Sequence, residues 1–143
     1  MLGIIYSIVA GIAMSIQGVF NSRVSEKIGL WETNAFVQGS AFILSLIISL
    51  IWGRGNFKKI LEVNKLYLLG GLFGIIITYT VMKSMLDLGP TYAVAIILVA
   101  QLLAAGIIDW FGFFDTKKIV FSINKIIGLI IMIVGIIIFK WKH

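Results

Sequence analysis

The sequence predicts an all-α integral membrane protein that crosses the bilayer five times, and two observations carry this prediction. Hydrophobic residues make up 60% of the chain and charged residues 13%, with a mean hydropathy of +1.09, whereas ordinary soluble domains carry about a quarter charged residues. A core shared by 143 residues cannot hide so much apolar surface, and soluble proteins avoid large exposed apolar patches. The second observation is a series of apolar runs of the length that a membrane span needs.

Five apolar runs divide the chain, and short polar segments separate them. A span needs roughly 20 apolar residues. The fifth run is the least clear, because its uninterrupted part, residues 126–139, is short. We therefore expect this helix to begin near residue 119 and to let Lys125 extend toward the membrane surface. The four tryptophans fall near span ends, as in an aromatic belt. The predicted spans of a single domain, residues 1–143, are 2–22, 34–52, 66–83, 91–114 and 119–139.

Charge and residue types argue against several classes of function. The net charge is +6, but the Lys and Arg residues are scattered between the apolar runs and do not form the basic stripe that nucleic-acid binding requires. The chain has no cysteine, and its one histidine is His143, so we expect no metal site and no cofactor. The sequence also lacks catalytic triads, paired catalytic carboxylates and phosphate-binding loops, so we expect no enzyme. The first run lacks the features of a cleaved signal peptide and is expected to remain as a span.

Positive charge is nearly balanced between the two sides of the membrane. Orientation follows the excess of Lys and Arg in cytoplasmic loops, and here the predicted spans place seven cations on one side and five on the other. The chain could therefore insert in either orientation, and the alternative is a single orientation with the amino terminus inside. The first side holds Arg54, Lys58, Lys59, Lys65, Lys117, Lys118 and Lys125, and the second holds Arg23, Lys27, Lys83, Lys140 and Lys142.

Small residues recur at helical spacing in several spans. Helices in lipid associate through close packing of small residues and through hydrogen bonds between helices. The first span has such residues four apart, the third has a GxxxG pattern, and the fifth has two glycines seven apart. Together they predict a closely packed bundle with helix faces available to a partner chain. The residues are Gly3, Ser7 and Gly11, then Gly70 and Gly74, then Gly128 and Gly135.

A few polar side chains within the spans are the candidate functional residues. Gln17 and Asn21 lie four apart near the end of the first span, and Gln101 and Asp109 lie on one side of the fourth. Charged groups inside a membrane are expensive and often functional, so Asp109 is a candidate to face an aqueous cavity and to take a proton or a cationic ligand. It could instead reach the water at the membrane surface or cap a neighbouring helix. The amides could equally serve to hold helices together.

Four segments of the chain form a recognisable pattern: "Q-x-x-x-N" at Gln17 and Asn21, "GGLFG" at residues 70–74, "DLGPTYA" before the fourth span and "QLLAAGIIDWFG" within it. In these segments the chain resembles the YdcZ-type small membrane proteins, a five-span family of the drug/metabolite transporter superfamily. The similarity covers nearly the whole chain.

The fourth span carries the most specific part of the resemblance. The family typically has Gly-Gln-Leu-Ile followed by Ile-Asp-His-Phe-Gly, which corresponds here to Gln101, Asp109 and Gly112. Two positions differ, since Ala100 stands where the family usually has glycine and Trp110 where it often has histidine. The family includes single dual-topology genes, paired genes of opposite orientation and fused ten-span proteins. The resemblance therefore implies an antiparallel pair, in agreement with the nearly balanced charge.

These observations lead to one preferred function and two alternatives. We expect a small secondary transporter in the plasma membrane, with a cavity for a small polar or cationic metabolite at the interface of an antiparallel homodimer or of a pair with an oppositely oriented paralogue. The alternatives are a non-transporting subunit or scaffold and, less favoured because no ring of like charges marks a path, a passive channel. The residues expected to line the cavity are Gln17, Asn21, Gln101 and Asp109, with Tyr79 and Trp110 as further candidates.

Overall fold

A computed structural model describes residues 1–120 and 122–141. Over these residues the chain is helical, and five α-helices are long and apolar enough to cross a membrane, which confirms the predicted fold class. The antiparallel dimer stays a prediction. The chain divides into two compact units, Met1–Asp87 and Leu88–His143. The helices are α1 (Leu2–Ile28), α2 (Leu30–Trp52), α3 (Gly70–Leu88), α4 (Pro90–Phe111) and α5 (Ile123–Lys140), with short 3₁₀ helices at Phe57–Glu62, Lys65–Leu69 and Phe113–Asp115.

A single residue, Gly29, connects α1 to α2. Its φ of 99° lies where residues with a side chain are strained and glycine is not. The carbonyl of Gly29 accepts hydrogen bonds from both the backbone N–H of Thr33 (3.1 Å) and its hydroxyl (2.7 Å). Thr33 is fully buried, so these two hydrogen bonds hold the turn from inside the contact between the helices. α1 and α2 pack against each other beyond this turn.

The helices of the first unit extend further than the predicted spans. α1 continues to Ile28 instead of residue 22, and α2 begins at Leu30 instead of residue 34. In the added turn of α1, Arg23 pairs with Glu26 at 3.2 Å. Such pairs three or four residues apart stabilise a helix, and charges that suggest a loop in the sequence are therefore accommodated in helix. At about 1.5 Å per residue, α1 is about 40 Å long and exceeds the roughly 30 Å hydrocarbon layer.

α3 is displaced along the sequence relative to its predicted span, which was residues 66–83. It begins at Gly70, after the second 3₁₀ helix, and ends at Leu88. At its carboxyl end, an ion pair between Lys83 and Asp87 at 2.8 Å helps the helix to continue past residue 83. Met82 and Met85 are buried on the same turns, so apolar packing also favours continuation of the helix.

In the second unit, α4 and α5 pack against each other. α4 begins with Pro90 at its first turn, a position that proline favours because its missing N–H has no partner there. It ends at Phe111, three residues before the predicted end, because Gly112 adopts a left-handed conformation (φ 68°) and its N–H bonds to the carbonyl of Ile108 at 2.8 Å. α5 begins at Ile123 instead of residue 119.

Little of the apolar surface is covered within one chain. No more than 11% of the apolar core of any span is buried, and no residue of α5 is buried. Such surface requires lipid or a partner chain around it, since water would not tolerate it. Among the described residues, the buried hydrophobic side chains are Met82, Met85, Ala93 and Val99.

Candidate functional site

Asn34, in the second turn of α2, is a buried polar side chain that bonds to a neighbouring helix. It is 2% exposed, and its Nδ2 donates a hydrogen bond to the backbone carbonyl of Ile75 in α3 at 2.9 Å. A carbonyl in the body of a helix already accepts from the N–H four residues later, so Asn34 adds a second donor to it. This contact joins α2 to α3 through a side chain.

Gln38 makes the next contact, one turn further along α2. Its Nε2 donates to the hydroxyl of Thr78 at 3.2 Å. A Cβ on Gly74 would lie 3.3 Å from Nε2 of Gln38, which is a tight contact, so the glycine provides room for the amide. Gly74 was predicted to pack against a helix, and here it faces the Gln38 side chain.

An aromatic pair completes this row of contacts. The rings of Trp31 and Tyr79 stack with centroids 4.4 Å apart and an angle of 26° between planes. Trp31, Asn34 and Gln38 follow helical spacing along α2, and Thr78 and Tyr79 meet them from α3. We call these five residues the polar seam of the first unit.

One atom of the polar seam lacks a partner. Oδ1 of Asn34 is buried and accepts no hydrogen bond within the described part of the chain. Leaving a buried acceptor unpaired costs about 1–3 kcal/mol. Such a group in a native protein calls for an explanation, and one explanation is that it pairs with water, an ion or a ligand. Asn34 is therefore a candidate functional residue in addition to those expected from the sequence.

The two candidates on α1 differ in burial. Gln17 lies close to the middle of α1 and is exposed, and its amide forms no hydrogen bond within residues 1–120 and 122–141. Asn21 is 9% exposed. Between them, Gly18 is the point where α1 approaches α3, since a Cβ there would overlap the end of the Met85 side chain and lie 3.1 Å from Cγ1 of Val81. Sequence reasoning missed Gly18, although Ser22 and Ser25 extend the same small-residue spacing.

The candidates on α4 are likewise unpaired. Gln101 lies at the middle of α4 and is exposed, and Asp109 is half-buried near the end. The side chains of both lack a hydrogen bond or ion pair with any residue that the structure describes, while the backbone carbonyl of Asp109 accepts from the N–H of Ile119 at 2.8 Å. Trp110 lies on an apolar groove of ≈ 350 Å³ together with Leu103, Gly106, Ile107 and Phe111.

Most of the small residues expected to pack helices face open space in one chain. The hydroxyl of Ser7 donates to the carbonyl of Gly3 at 2.9 Å, within α1. A Cβ would meet nothing within 4 Å at five of the six predicted glycines, so these positions are open to lipid or to a partner chain. The five are Gly3, Gly11, Gly70, Gly128 and Gly135.

The polar seam could have been found from the sequence by the signal that selected the α1 pair. Asn34 and Gln38 are four residues apart, as are Gln17 and Asn21. Asn34 is the first residue of its predicted span, where a polar side chain is unremarkable, so neither residue is among those expected from the sequence. Of the six residues expected to line a cavity, the structure brings Tyr79 into the seam.

A comparison with models of protein families identifies the family of this chain. The model described as "Putative inner membrane exporter, YdcZ" matches residues 2–138, a range that includes α1 to α4 and nearly all of α5. No curated protein and no solved structure matches the chain. The description of the family indicates membrane transport and, with the five spans, a multi-pass protein of the plasma membrane. The chain therefore belongs to the YdcZ family.

Proposed function

We propose that this chain is a secondary transporter that moves a small polar or cationic metabolite across the plasma membrane by alternating access at an antiparallel dimer interface. The single observation that carries the proposal is that the amides of Gln17 and Gln101 are exposed and unpaired in the described chain. Each lies near the middle of its helix, is exposed, and has no partner for its amide within the described chain. Polar groups at this depth require a partner, because hydrocarbon offers no hydrogen bonds.

A second copy of the chain and a polar substrate would supply what these amides lack. Two copies of opposite orientation create the inverted symmetry on which alternating access commonly relies. The exposed glycines of α1 and α5, Gly11 and Gly135 among them, would let the backbones of two copies approach closely. The substrate class follows from the groups available, since amides both donate and accept hydrogen bonds and aromatic rings attract organic cations.

Asp109 is the group that we propose to couple transport to a proton gradient. Two other acids in the helices are already paired, Glu26 with Arg23 and Asp87 with Lys83, and Glu32 lies in the first turn of α2. Asp109 is half-buried without a paired cation in the described chain. An ionisable residue in a span is expensive to keep there, and it is therefore a candidate for a functional role.

The first experiment determines orientation, on which the dimer depends. The chain has no native cysteine, so Leu61→Cys introduces a single thiol at a side chain that is 90% exposed. Asn56 in the same connector is a poorer choice, because its Oδ1 accepts a hydrogen bond from the N–H of Lys58. Intact cells are treated with an impermeant maleimide before and after permeabilisation. Labelling of about half the thiol from outside supports opposite orientations; protection of all of it would require an oppositely oriented partner chain.

The second experiment tests transport itself. Purified protein in vesicles that contain a pH-sensitive dye is exposed to a panel of small amines, amino acids and quaternary ammonium ions under an imposed pH gradient. We expect a proton flux with at least one compound, its loss in Gln101→Leu, and loss of the pH-gradient dependence in Asp109→Asn. A flux that Asp109→Asn leaves unchanged contradicts the coupling role, and no flux with any compound contradicts the proposal for these substrate classes.

The exposed glycine faces favour one alternative function, a scaffold that packs against another membrane protein. A variant that combines Gln101→Leu with Asn21→Leu distinguishes the two functions. A scaffold tolerates both substitutions, since neither residue is one of the small residues expected to pack helices, whereas a transporter still assembles but loses turnover.

A further inference from the structure

The connector between α2 and α3, residues 53–69, carries an unusual concentration of positive charge. Arg54, Lys58, Lys59 and Lys65 lie within it and Glu62 is its one acid, so its formal charge is +3. All four cations are exposed, and none of them is in an ion pair with a residue that the structure describes. We call this segment the basic connector.

The basic connector has a defined backbone. Asn56 and Asn64 each begin a 3₁₀ helix, and their Oδ1 atoms accept hydrogen bonds from the N–H of Lys58 (2.9 Å) and of Leu66 (3.0 Å). The segment therefore presents its side chains from fixed turns. Those turns lie between the end of α2 at Trp52 and the start of α3, which places them at the membrane surface.

Apolar side chains alternate with the cations of the basic connector and are also exposed. Phe57, Ile60 and Leu61 are 69%, 51% and 90% exposed. A cavity of ≈ 310 Å³ lies at this end of α2, and its lining combines two polar residues with apolar ones. The lining residues are Ser49, Gly53, Gly55, Asn56, Phe57 and Ile60.

We propose that the basic connector binds anionic phospholipid, with the headgroup phosphate held by Arg54, Lys58 and Lys59 and the upper acyl chain against Phe57 and Ile60. Clusters of four or more cations next to a membrane helix attract anionic headgroups, and charge-assisted hydrogen bonds to phosphate are strong. The exposed apolar residues decide between lipid and a soluble anion, because only a lipid supplies hydrocarbon at the same place as the phosphate. This site is separate from the proposed transport residues.

The test measures which lipid lies next to the connector. Full-length Leu61→Cys protein is labelled with a bimane fluorophore and reconstituted in phosphatidylcholine vesicles. A small fraction of the lipid carries a nitroxide near the top of its acyl chain, on either phosphatidylglycerol or phosphatidylcholine. We expect several-fold stronger quenching by the anionic lipid, and high salt should reduce the difference, since salt screens exposed charges. Inorganic phosphate that replaces other salt at constant ionic strength should leave it unchanged.

Matched charge substitutions complete the test. Arg54→Gln, Lys58→Gln and Lys59→Gln together should make the two lipids quench equally. Lys117→Gln with Lys118→Gln, which removes cations from the α4–α5 loop, should leave the preference intact. Equal quenching by both lipids in the unsubstituted protein overturns the proposal, as does a preference that persists in the triple variant. Loss of the preference when inorganic phosphate replaces other salt at constant ionic strength would show a site for a soluble anion instead.

Discussion

The two units use polar side chains in opposite ways. In the first unit, Asn34 and Gln38 are hydrogen-bonded across the contact between α2 and α3. In the second unit, Gln101 and Asp109 lie on α4 without side-chain partners in the described chain, and α4 packs on α5, which has no buried residue. Asn34 and Gln38 therefore hold helices together, whereas Gln101 and Asp109, like Gln17 in the first unit, are available to a ligand or to another chain. Residue type alone does not separate these roles; the neighbouring helix does.

The largest effect on stability is expected where α1 meets α3. Gly18→Leu would force a side chain into the space of Met85 and Val81, and overpacking typically costs about 1–3 kcal/mol. Gly11→Leu is the matched control, because a Cβ there meets nothing within 4 Å. Unfolding in detergent, followed by tryptophan fluorescence, should show a loss of stability in the first variant alone. Equal losses would mean that Gly18 is not a close contact.

Gly11→Leu has a second use, in a different measurement. If the α1 glycine face packs against another copy, the substitution should weaken self-association while leaving the monomer stable. Cross-linking in vesicles measures this, with Gly39→Leu, another open glycine position on α2, as a comparison. Self-association that is unchanged in Gly11→Leu would remove α1 from the interface.

The next effect compares a paired glutamine with an unpaired one. Gln38→Leu removes the hydrogen bond to Thr78, and such bonds between membrane helices are worth about 0.6 kcal/mol on average and at most about 1.7. Gln101→Leu removes no hydrogen bond within the described chain and should leave the free energy of unfolding of the monomer unchanged or raise it. The same unfolding assay measures both. Equal destabilisation by the two substitutions would contradict the division between the units.

The number of helices could be predicted from the sequence, but several of their ends could not. Apolar runs locate the spans because lipid demands them. The ends of α1 and α3 depend on Arg23–Glu26 and Lys83–Asp87 pairs, in which neutralisation lets charged residues continue a helix. For the site, spacing identified polar residues on a common face, but which of them meets another helix depends on the packing of α2 against α3. Tyr79 was expected from the sequence, and the spacing of Asn34 and Gln38 is visible in it, but their contacts with α3 required the structure.

Asn34 should give a smaller effect, because two terms oppose each other. Asn34→Leu loses the hydrogen bond to Ile75, worth about 1 kcal/mol, and also removes the buried unpaired Oδ1, whose burial costs about 1–3 kcal/mol. We therefore expect a variant at least as stable as the parent. If it is destabilised by more than about 2 kcal/mol, Oδ1 has a partner in the membrane, such as water. If it is stable but inactive in the flux assay, Asn34 serves function at the expense of stability.

The smallest effect is expected at the open end of the second unit. The Nζ of Lys140, in the last turn of α5, lies 4.6 Å from the ring centroid of Tyr92 in α4, and exposed cation–π contacts are worth about 0.5–1 kcal/mol. Lys140→Gln alone is ambiguous, because a cation near a helix carboxyl terminus is also favoured by the helix dipole. A double-mutant cycle with Tyr92→Leu isolates the contact, and Tyr92→Phe, which keeps the ring, should retain it. A coupling energy near zero would mean that this contact does not help to join α4 to α5, which would make the contrast with the hydrogen-bonded first unit sharper still.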